Sequence, residues 1–402
     1  MPWRNMHRLV KRVILWSTLL SLTLSNLVGA AEWSILPSIG TKAYYNSNLI
    51  LTPFPHEATY GYWVSPAAEF AGKTERFEAS GRVAADFVSY YGGEATQFTN
   101  IFLPLTLRYK TERDVFGFTG GYTRDNTLMG ELLATGVVLR FTQRDLWSAN
   151  PTWTRMLTEK LSLQTAFQFA DASYEDGLRL GLVDYQLLGA SAGLGYQLNE
   201  QNTLQVTGSY TNFHTTNSSS PFRAYFPGVT AEFTHSFTET LTANVYGGSR
   251  YVSSTTETAT DSMKSRKTIW VFGASVTQAF EHASIKVKAS RDVVPSGFGL
   301  LIQTDRIGVL ASYDLTETVT ASFDAAGYLV SGVTDTASGG AFPGQRYAQA
   351  SPRLSWKFFD WWKLEASYTY GWRDVDTFTN TATSNAAMLT LTYFPPKLAM
   401  SN

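Results

Sequence analysis

The chain has 402 residues with 32 basic and 33 acidic side chains, so that only 16% are charged while 14% are aromatic. Soluble chains average about 25% charged residues, and this composition suits a wall that faces lipid better than a surface that faces water. The near-neutral, slightly acidic balance gives nucleic-acid binding no support, and the absence of cysteine excludes disulfide scaffolds, thiol chemistry and cysteine-ligated metals.

Residues 1–30 read as a secretory signal peptide. Arg4, Arg8, Lys11 and Arg12 precede an apolar stretch from Val13 to Val28, and small residues at Ala30 and Ala31 suit cleavage there. This segment holds four of the 32 basic residues and none of the acids, leaving 28 against 33 in the mature chain. No apolar run of about eighteen residues follows, which excludes helical membrane spans. Residues 31–402 are expected to form one outer-membrane β-barrel domain, exported to the bacterial outer membrane.

A phrase recurs about every forty residues: LTEKLSL from Leu157, LNEQNTL from Leu198, FTETLTA from Phe237 and LTETVTA from Leu315, with FEHASI from Phe280 and FFDWWKL from Phe358 in the same series. An apolar end, a polar centre and an apolar-polar-apolar restart describe a tight turn between antiparallel strands. Between turns the chain alternates: Leu161, Leu163, Phe167 and Phe169 share one face, and Ser162, Gln164 and Gln168 the other. Period two means strand.

In chain order, strands are expected near 33–45, 59–71, 75–90, 98–110, 114–125, 134–143, 147–157, 161–176, 184–197, 203–214, 224–238, 241–256, 266–280, 283–293, 300–313, 317–333, 346–359, 362–376 and 386–394. Bacterial barrels have an even number of strands, with tight periplasmic turns alternating with longer outer loops. The segment 134–143 breaks that alternation and joins one long loop, 126–146, which carries Glu131, Arg140, Arg144 and Asp145. The expected fold is therefore all-β, a transmembrane antiparallel up-and-down barrel of about 18 strands with both termini periplasmic. Many runs exceed the nine to eleven residues that cross a bilayer. Aromatics beside the tight turns, among them Tyr196, Phe237, Phe280, Tyr313, Phe359, Trp361, Trp362 and Tyr393, read as an interfacial girdle.

A barrel of this size encloses a water-filled lumen unless something plugs it. Alternation turns inward Arg82, Arg108, Lys110, Arg250, Lys286, Lys288, Arg306, Arg353, Lys357, Glu365 and Arg373, together with Glu78, Asp86, Glu232 and Asp324. Cations outnumber acids on that face, and rings of Arg and Lys favour anions. The bland alternative is that these charges merely pair with one another, as Glu365 and Arg373 could. The loop 126–146 can fold inward to constrict the pore or lie outside it.

An enzyme reading finds little. His282 and Ser284 have a two-residue spacing used by outer-membrane phospholipases, yet they sit at a tight turn, away from the outer leaflet. His56, His214 and His235 have no carboxylate partner at a recognisable spacing. No paired-carboxylate, metal or phosphate-loop motif emerges, and no cofactor is expected.

The stretches WSANPTWTRMLTEKLSLQTAFQFADASYED from Trp147 and VDYQLLGASAGLGYQLNEQNTLQVTGSY from Val183, with the end SNAAMLTLTYFPPKL, resemble the outer-membrane β-barrel porins associated with exopolysaccharide and exosortase gene clusters in Gram-negative bacteria. A more distant likeness is to the alginate-export porin, an 18-stranded barrel. The resemblance implies a pore for anionic polysaccharide or other anionic solutes, with outer-membrane lipid, the outer-membrane assembly machinery and polysaccharide export components as partners. A loop-plugged structural or receptor barrel is the alternative. One departure concerns the end of the chain: such barrels finish at a terminal aromatic, whereas here Phe394 is followed by Pro395, Pro396 and six more residues.

Overall fold

The recurring phrase makes its own turns. In LTEKLSL, the Leu157 amide donates to the Leu161 carbonyl at 2.8 Å, and Thr158 Oγ1 accepts from the amides of Lys160 and Leu161 at 3.3 and 3.0 Å. Thr238 accepts identically from Thr240 and Leu241, and Thr316 from Thr318 and Val319. In LNEQNTL the Asn199 Oδ1 replaces the hydroxyl, accepting from Gln201 and Asn202. A short polar side chain thus satisfies amides that the reversing backbone leaves unpaired. Thr74 and Thr111 do the same for Phe77 and Asp114 in the first two turns. The glutamates of the phrase, Glu159, Glu200, Glu239 and Glu317, project into solvent at the tips.

The computed structural model describes residues 32–135, 141–218, 220–257, 262–333 and 342–401; the signal segment 1–30 lies outside the described residues. The strands are β1 (Glu32–Asn46), β2 (Thr59–Lys73), β3 (Phe77–Gly92), β4 (Thr96–Lys110), β5 (Asp114–Asn126), β6 (Gln143–Met156), β7 (Leu161–Tyr174), β8 (Asp184–Gln197), β9 (Asn202–Asn217) and β10 (Phe222–Tyr225). They continue as β11 (Gly228–Ser236), β12 (Leu241–Glu257), β13 (Ser262–Ala279), β14 (Ala283–Pro295), β15 (Leu301–Asp314), β16 (Val319–Gly332), β17 (Gln345–Phe359), β18 (Trp362–Val375), β19 (Ala382–Tyr393) and β20 (Leu398–Ser401). Two helices lie in loops: α1 (Thr127–Thr135) and α2 (Gly177–Leu180).

Apart from the pieces β10 and β11 and the tail β20, each strand pairs antiparallel with the next, and β19 returns to β1 from Ile39↔Tyr393 to Asn46↔Ala386. The sheet is closed. Both β10 and β11 lie between β9 and β12, so they are two pieces of one barrel strand, interrupted at Phe226 and Pro227. Proline has no amide to give the ladder. Joining these pieces and setting aside the short tail β20 leaves eighteen barrel strands, the expected number. The tail follows Pro395 and Pro396 and pairs with the start of β1, Ile35↔Leu398 to Glu32↔Ser401.

Both described ends of the chain and the tight turns share one rim of the barrel, and the longer loops share the other. Sequence boundaries differ mainly at the loop rim, where strands run further than the alternation suggested: β6 starts at Gln143 and β13 at Ser262. Of the candidate strand 134–143, residues 134 and 135 close α1, 136–140 lie outside the described residues, and β6 begins at Gln143.

The outward face is apolar and open. Phe167, Val229, Trp270 and Ile307 are each more than half exposed, which a water-soluble surface does not present in a continuous band. Buried apolar residues gather instead inside the barrel near the loop rim, where Ala172, Tyr185, Phe213, Val252, Ile269, Leu301, Ile302 and Tyr328 form one cluster with Leu132 of α1.

Replacing Thr158, Thr238 or Thr316 with Ala removes the turn acceptor. Each change should lower stability by about 0.5–1.5 kcal/mol, read as a shifted urea-unfolding midpoint in lipid vesicles with strand content unchanged by circular dichroism.

Candidate pore and its inward loop

Helix α1 begins where Asn126 Oδ1 accepts from the Met129 amide at 3.0 Å, a side-chain cap of the first turn. Leu128 and Leu132, four residues apart on one helix face, both pack on the buried cluster inside the barrel. Three ionic side chains hold the helix. Asp125 lies opposite Arg144 in the β5–β6 register, and the guanidinium grips it through Nε–Oδ1 at 3.1 Å and Nη2–Oδ2 at 2.9 Å. The remaining nitrogen, Nη1, reaches Glu131 Oε1 at 3.1 Å, and Tyr174 donates to the same oxygen at 2.5 Å. Glu131 is only 1% exposed and Arg144 7%.

Gly130 makes this clamp possible, because a Cβ there would fall on the Arg144 guanidinium. The described start of the long loop, α1, therefore lies inside the barrel. Of the loop's four charged residues, Glu131 and Arg144 meet, Arg140 lies outside the described residues, and Asp145 faces the other way, toward Tyr122 at 2.5 Å and Arg124 at 3.3 Å.

Other loops close over the same space. Asn48 Nδ2 donates to the carbonyls of Thr52 and Thr383, and Arg373 Nη1 donates to the Leu51 carbonyl at 3.2 Å, which draws the first loop across the inner face of β18 and β19. The Val183 amide, before β8, donates to the Gly297 carbonyl, after β14, at 2.8 Å. Gly299, with φ +73°, turns the chain so that it meets Thr215 and Val183. Between α1 and the opposite wall remains a cavity of about 320 Å³, lined by Leu128, Met129 and Leu132 on one side and by Tyr44, Trp63, Tyr347, Thr369 and Ser384 on the other.

Toward the turn rim the inner face becomes polar, with two unlike walls. From β7 to β11 it presents Ser162, Gln164, Gln168, Ser191, Thr207, Ser209 and Thr230, tied by contacts such as Gln205 Nε2 to Gln164 Oε1 at 3.2 Å. Glu232 there accepts from Asn244 at 2.6 Å. The remaining wall is charged. Glu78 stands 3.6 Å from Lys110 and 4.0 Å from both Arg108 and Lys73. Arg82 faces Glu69 at 4.0 Å, and Lys42 lies 3.5 Å from Asp86 and 4.5 Å from the Trp63 ring centre.

Arg250 pairs with Asp292 at 3.1 Å and lies over Phe226; Arg306 lies over Tyr328 at 5.0 Å. Arg353 and Lys363 share Glu365 at 3.4 and 3.2 Å. The suggested Glu365–Arg373 pair does not form. Eight residues along one strand is far beyond side-chain reach, and Arg373 instead contacts Leu51 and Gln345 Oε1. Lys286 shares a row with Leu310 and Asp324, and Lys288 one with Gly308 and Ala326. Among the described residues, Lys286, Lys288 and Lys357 make no ion pair within 4.0 Å.

Sequence reasoning missed Lys42, Glu69, Asp125, Asp292 and Lys363 on this face. Their signal was strand parity alone, and it was weak where Tyr44 and Tyr45 or Asp125 and Asn126 sit side by side. The candidate hydrolase pair is not assembled: Ser284 Oγ bonds Ser312 Oγ at 2.8 Å, and His282 lies 3.8 Å from Glu281. His214 sits within β9, and His235 stacks on Phe233 and meets the Phe237 ring edge-on.

No family model matches the sequence, and no curated protein matches it. Among solved structures, Acinetobacter baumannii OccAB3 shares 10% identity over 92% of this chain and 99% of its own, with a TM-score of 0.43. Pseudomonas aeruginosa OccK2 (OpdF) in complex with glucuronate shares 8% over 90% and 98%, with 0.46. The alcaligin outer-membrane receptor FauA of Bordetella pertussis shares 11% over 89% and 76%, with 0.44.

Removing one member of a buried ion pair strands its partner and costs about 3–5 kcal/mol. Arg144→Gln should therefore release α1 from the wall, seen as larger or more frequently open single-channel conductance in planar bilayers. A conductance identical to that of the unaltered protein would show that α1 does not limit passage.

Proposed function

We propose that the protein is an outer-membrane channel that favours anionic solutes and is constricted by α1. The observation that carries this reading is the excess of cations on the inner face: Lys286, Lys288 and Lys357 stand without an ion pair among the described residues, beside Arg82, Arg108, Arg250, Arg306 and Arg353. Cations lining a narrow aqueous passage lower the barrier for negative solutes and raise it for positive ones. An open apolar outer face, strands of 12 to 18 residues and aromatics at the turn rim support a bilayer location.

In an outer membrane the tight turns and the chain ends would face the periplasm, and the loop rim the exterior. The resemblance to porins of exopolysaccharide gene clusters makes acidic polysaccharide a candidate solute, with export components as partners. Neither would require a cofactor or chemistry at the wall. A polymer strand could pass only with α1 displaced from the lumen.

The interlocked loops favour a second reading, a barrel held shut at its outer mouth that binds a ligand there. The two differ in resting conductance. Under a KCl gradient the channel reading expects a reversal potential of anionic sign, and Lys286→Gln with Lys288→Gln and Lys357→Gln should move it toward zero. A silent barrel, or a cation-selective one, would dismiss the anion channel.

A further inference from the structure

We propose that the outward face of β10, β12 and β13 at the loop rim binds the phosphorylated headgroup of an outer-leaflet glycolipid. The proposal rests on the outer-membrane reading above. Phe222, Ala224 and Phe226 are at most 2% exposed and point inward, so Arg223 and Tyr225 between them point out. On β13 the buried Ile269 and Val271 fix the parity in the same way, turning Lys264, Arg266 and Trp270 outward.

The registers bring the cations together. Arg223 lies opposite Thr255, which lies opposite Lys264; Tyr225 lies opposite Ser253, which lies opposite Arg266. With neighbouring strands about 4.8 Å apart, Arg223 and Lys264 start about 10 Å apart, and Lys264 and Arg266 about 7 Å apart along one strand. Side chains of this length can converge on one phosphate from such positions, and the hydroxyls of Ser253 and Thr255 lie between them.

All three cations are exposed, and none makes an ion pair among the described residues. Among the described residues the acid on this face is Glu257, two residues beyond Thr255. Elsewhere at the same rim, outward cations are already neutralised: Arg291 by Asp305 at 2.5 Å, Arg346 by Asp374 at 3.4 Å, and Arg124 by Asp145 and Glu175. Tyr225 shares the Arg266 row, and just below the cations stand Tyr251 and Trp270, the last 68% exposed. Such amphipathic rings mark the edge of the hydrocarbon. The cations therefore sit at headgroup level, with an apolar surface beneath for acyl chains. An anionic amphiphile fits that arrangement, and a free anion would use only its upper half.

The test uses the full barrel in detergent with diphosphoryl lipid A as probe. Saturable binding is expected, and Arg223→Gln, Lys264→Gln and Arg266→Gln together should weaken it roughly a hundredfold, since each surface cation near anionic lipid contributes about a factor of five. Dephosphorylated lipid A should bind no better to the unaltered protein than to the variant. Equal affinity of variant and unaltered protein for the diphosphoryl probe would overturn the proposal, as would its displacement by millimolar inorganic phosphate. Planar-bilayer conductance separates this from the channel reading: a barrel that conducts normally yet fails to bind the lipid overturns the lipid site alone.

Discussion

Every strand of a wall set in hydrocarbon must give its amides and carbonyls to another strand, because lipid offers them nothing. The contact between β1 and β19 is where that demand is met last, and the rest of the architecture depends on it. Eight residue pairs join the two strands from Ile39 to Asn46. Beyond them the chain passes through Pro395 and Pro396, one of the few ways to leave a ladder without stranding a donor. The tail then resumes pairing along Glu32–Ile35. The start of β1, which would otherwise be an open edge, is covered by the chain's own end.

Closure creates an interior, and the interior is filled unevenly. At the loop rim it is packed like a protein core, with Phe213, Leu301 and Ile302 fully buried; at the turn rim it is polar and charged. Helix α1 belongs to the packed end. Its leucines enter the packed region, while Glu131 is fixed by a guanidinium that also ties β5 to β6. Such a buried ionic knot contributes less to overall stability than to choosing one position for the helix, since desolvation offsets much of the attraction.

The barrel was legible in the sequence because its two signals are local. The Thr or Asn that caps six of the tight turns recurs with the phrase, and alternation is clear where the inner face is polar and the outer face apolar, as in Leu161–Phe169, from which Thr165 and Ala166 alone depart. Both signals weaken at the loop rim. In Thr268–Phe272 the residues Ile269, Trp270, Val271 and Phe272 are apolar on both faces, because the inward pair, Ile269 and Val271, is buried instead of facing water. At the same rim β6 and β13 each begin four residues before the expected 147 and 266. The clamp was not legible at all. Asp125 and Arg144 become neighbours only through the β5–β6 register, and Glu131 joins them only because Gly130 leaves room. The break at Pro227 and the returning tail likewise depend on partners distant in the chain.

The unlike walls of the lumen have one more effect. Hydroxyls and amides line the barrel from β7 to β11 while lysines and arginines outnumber acids on β14 to β18, so the potential in a water-filled lumen would vary across it as well as along it. In a channel bounded by low-dielectric walls such a field is focused rather than dispersed. A molecule with a charged end and a neutral, hydroxyl-rich end would be turned broadside, its anion toward Lys286 and Lys288 and its hydroxyls toward Gln164 and Thr207. Discrimination would then depend on how charge is distributed within a solute, so that two molecules of equal size and equal net charge could cross at different rates.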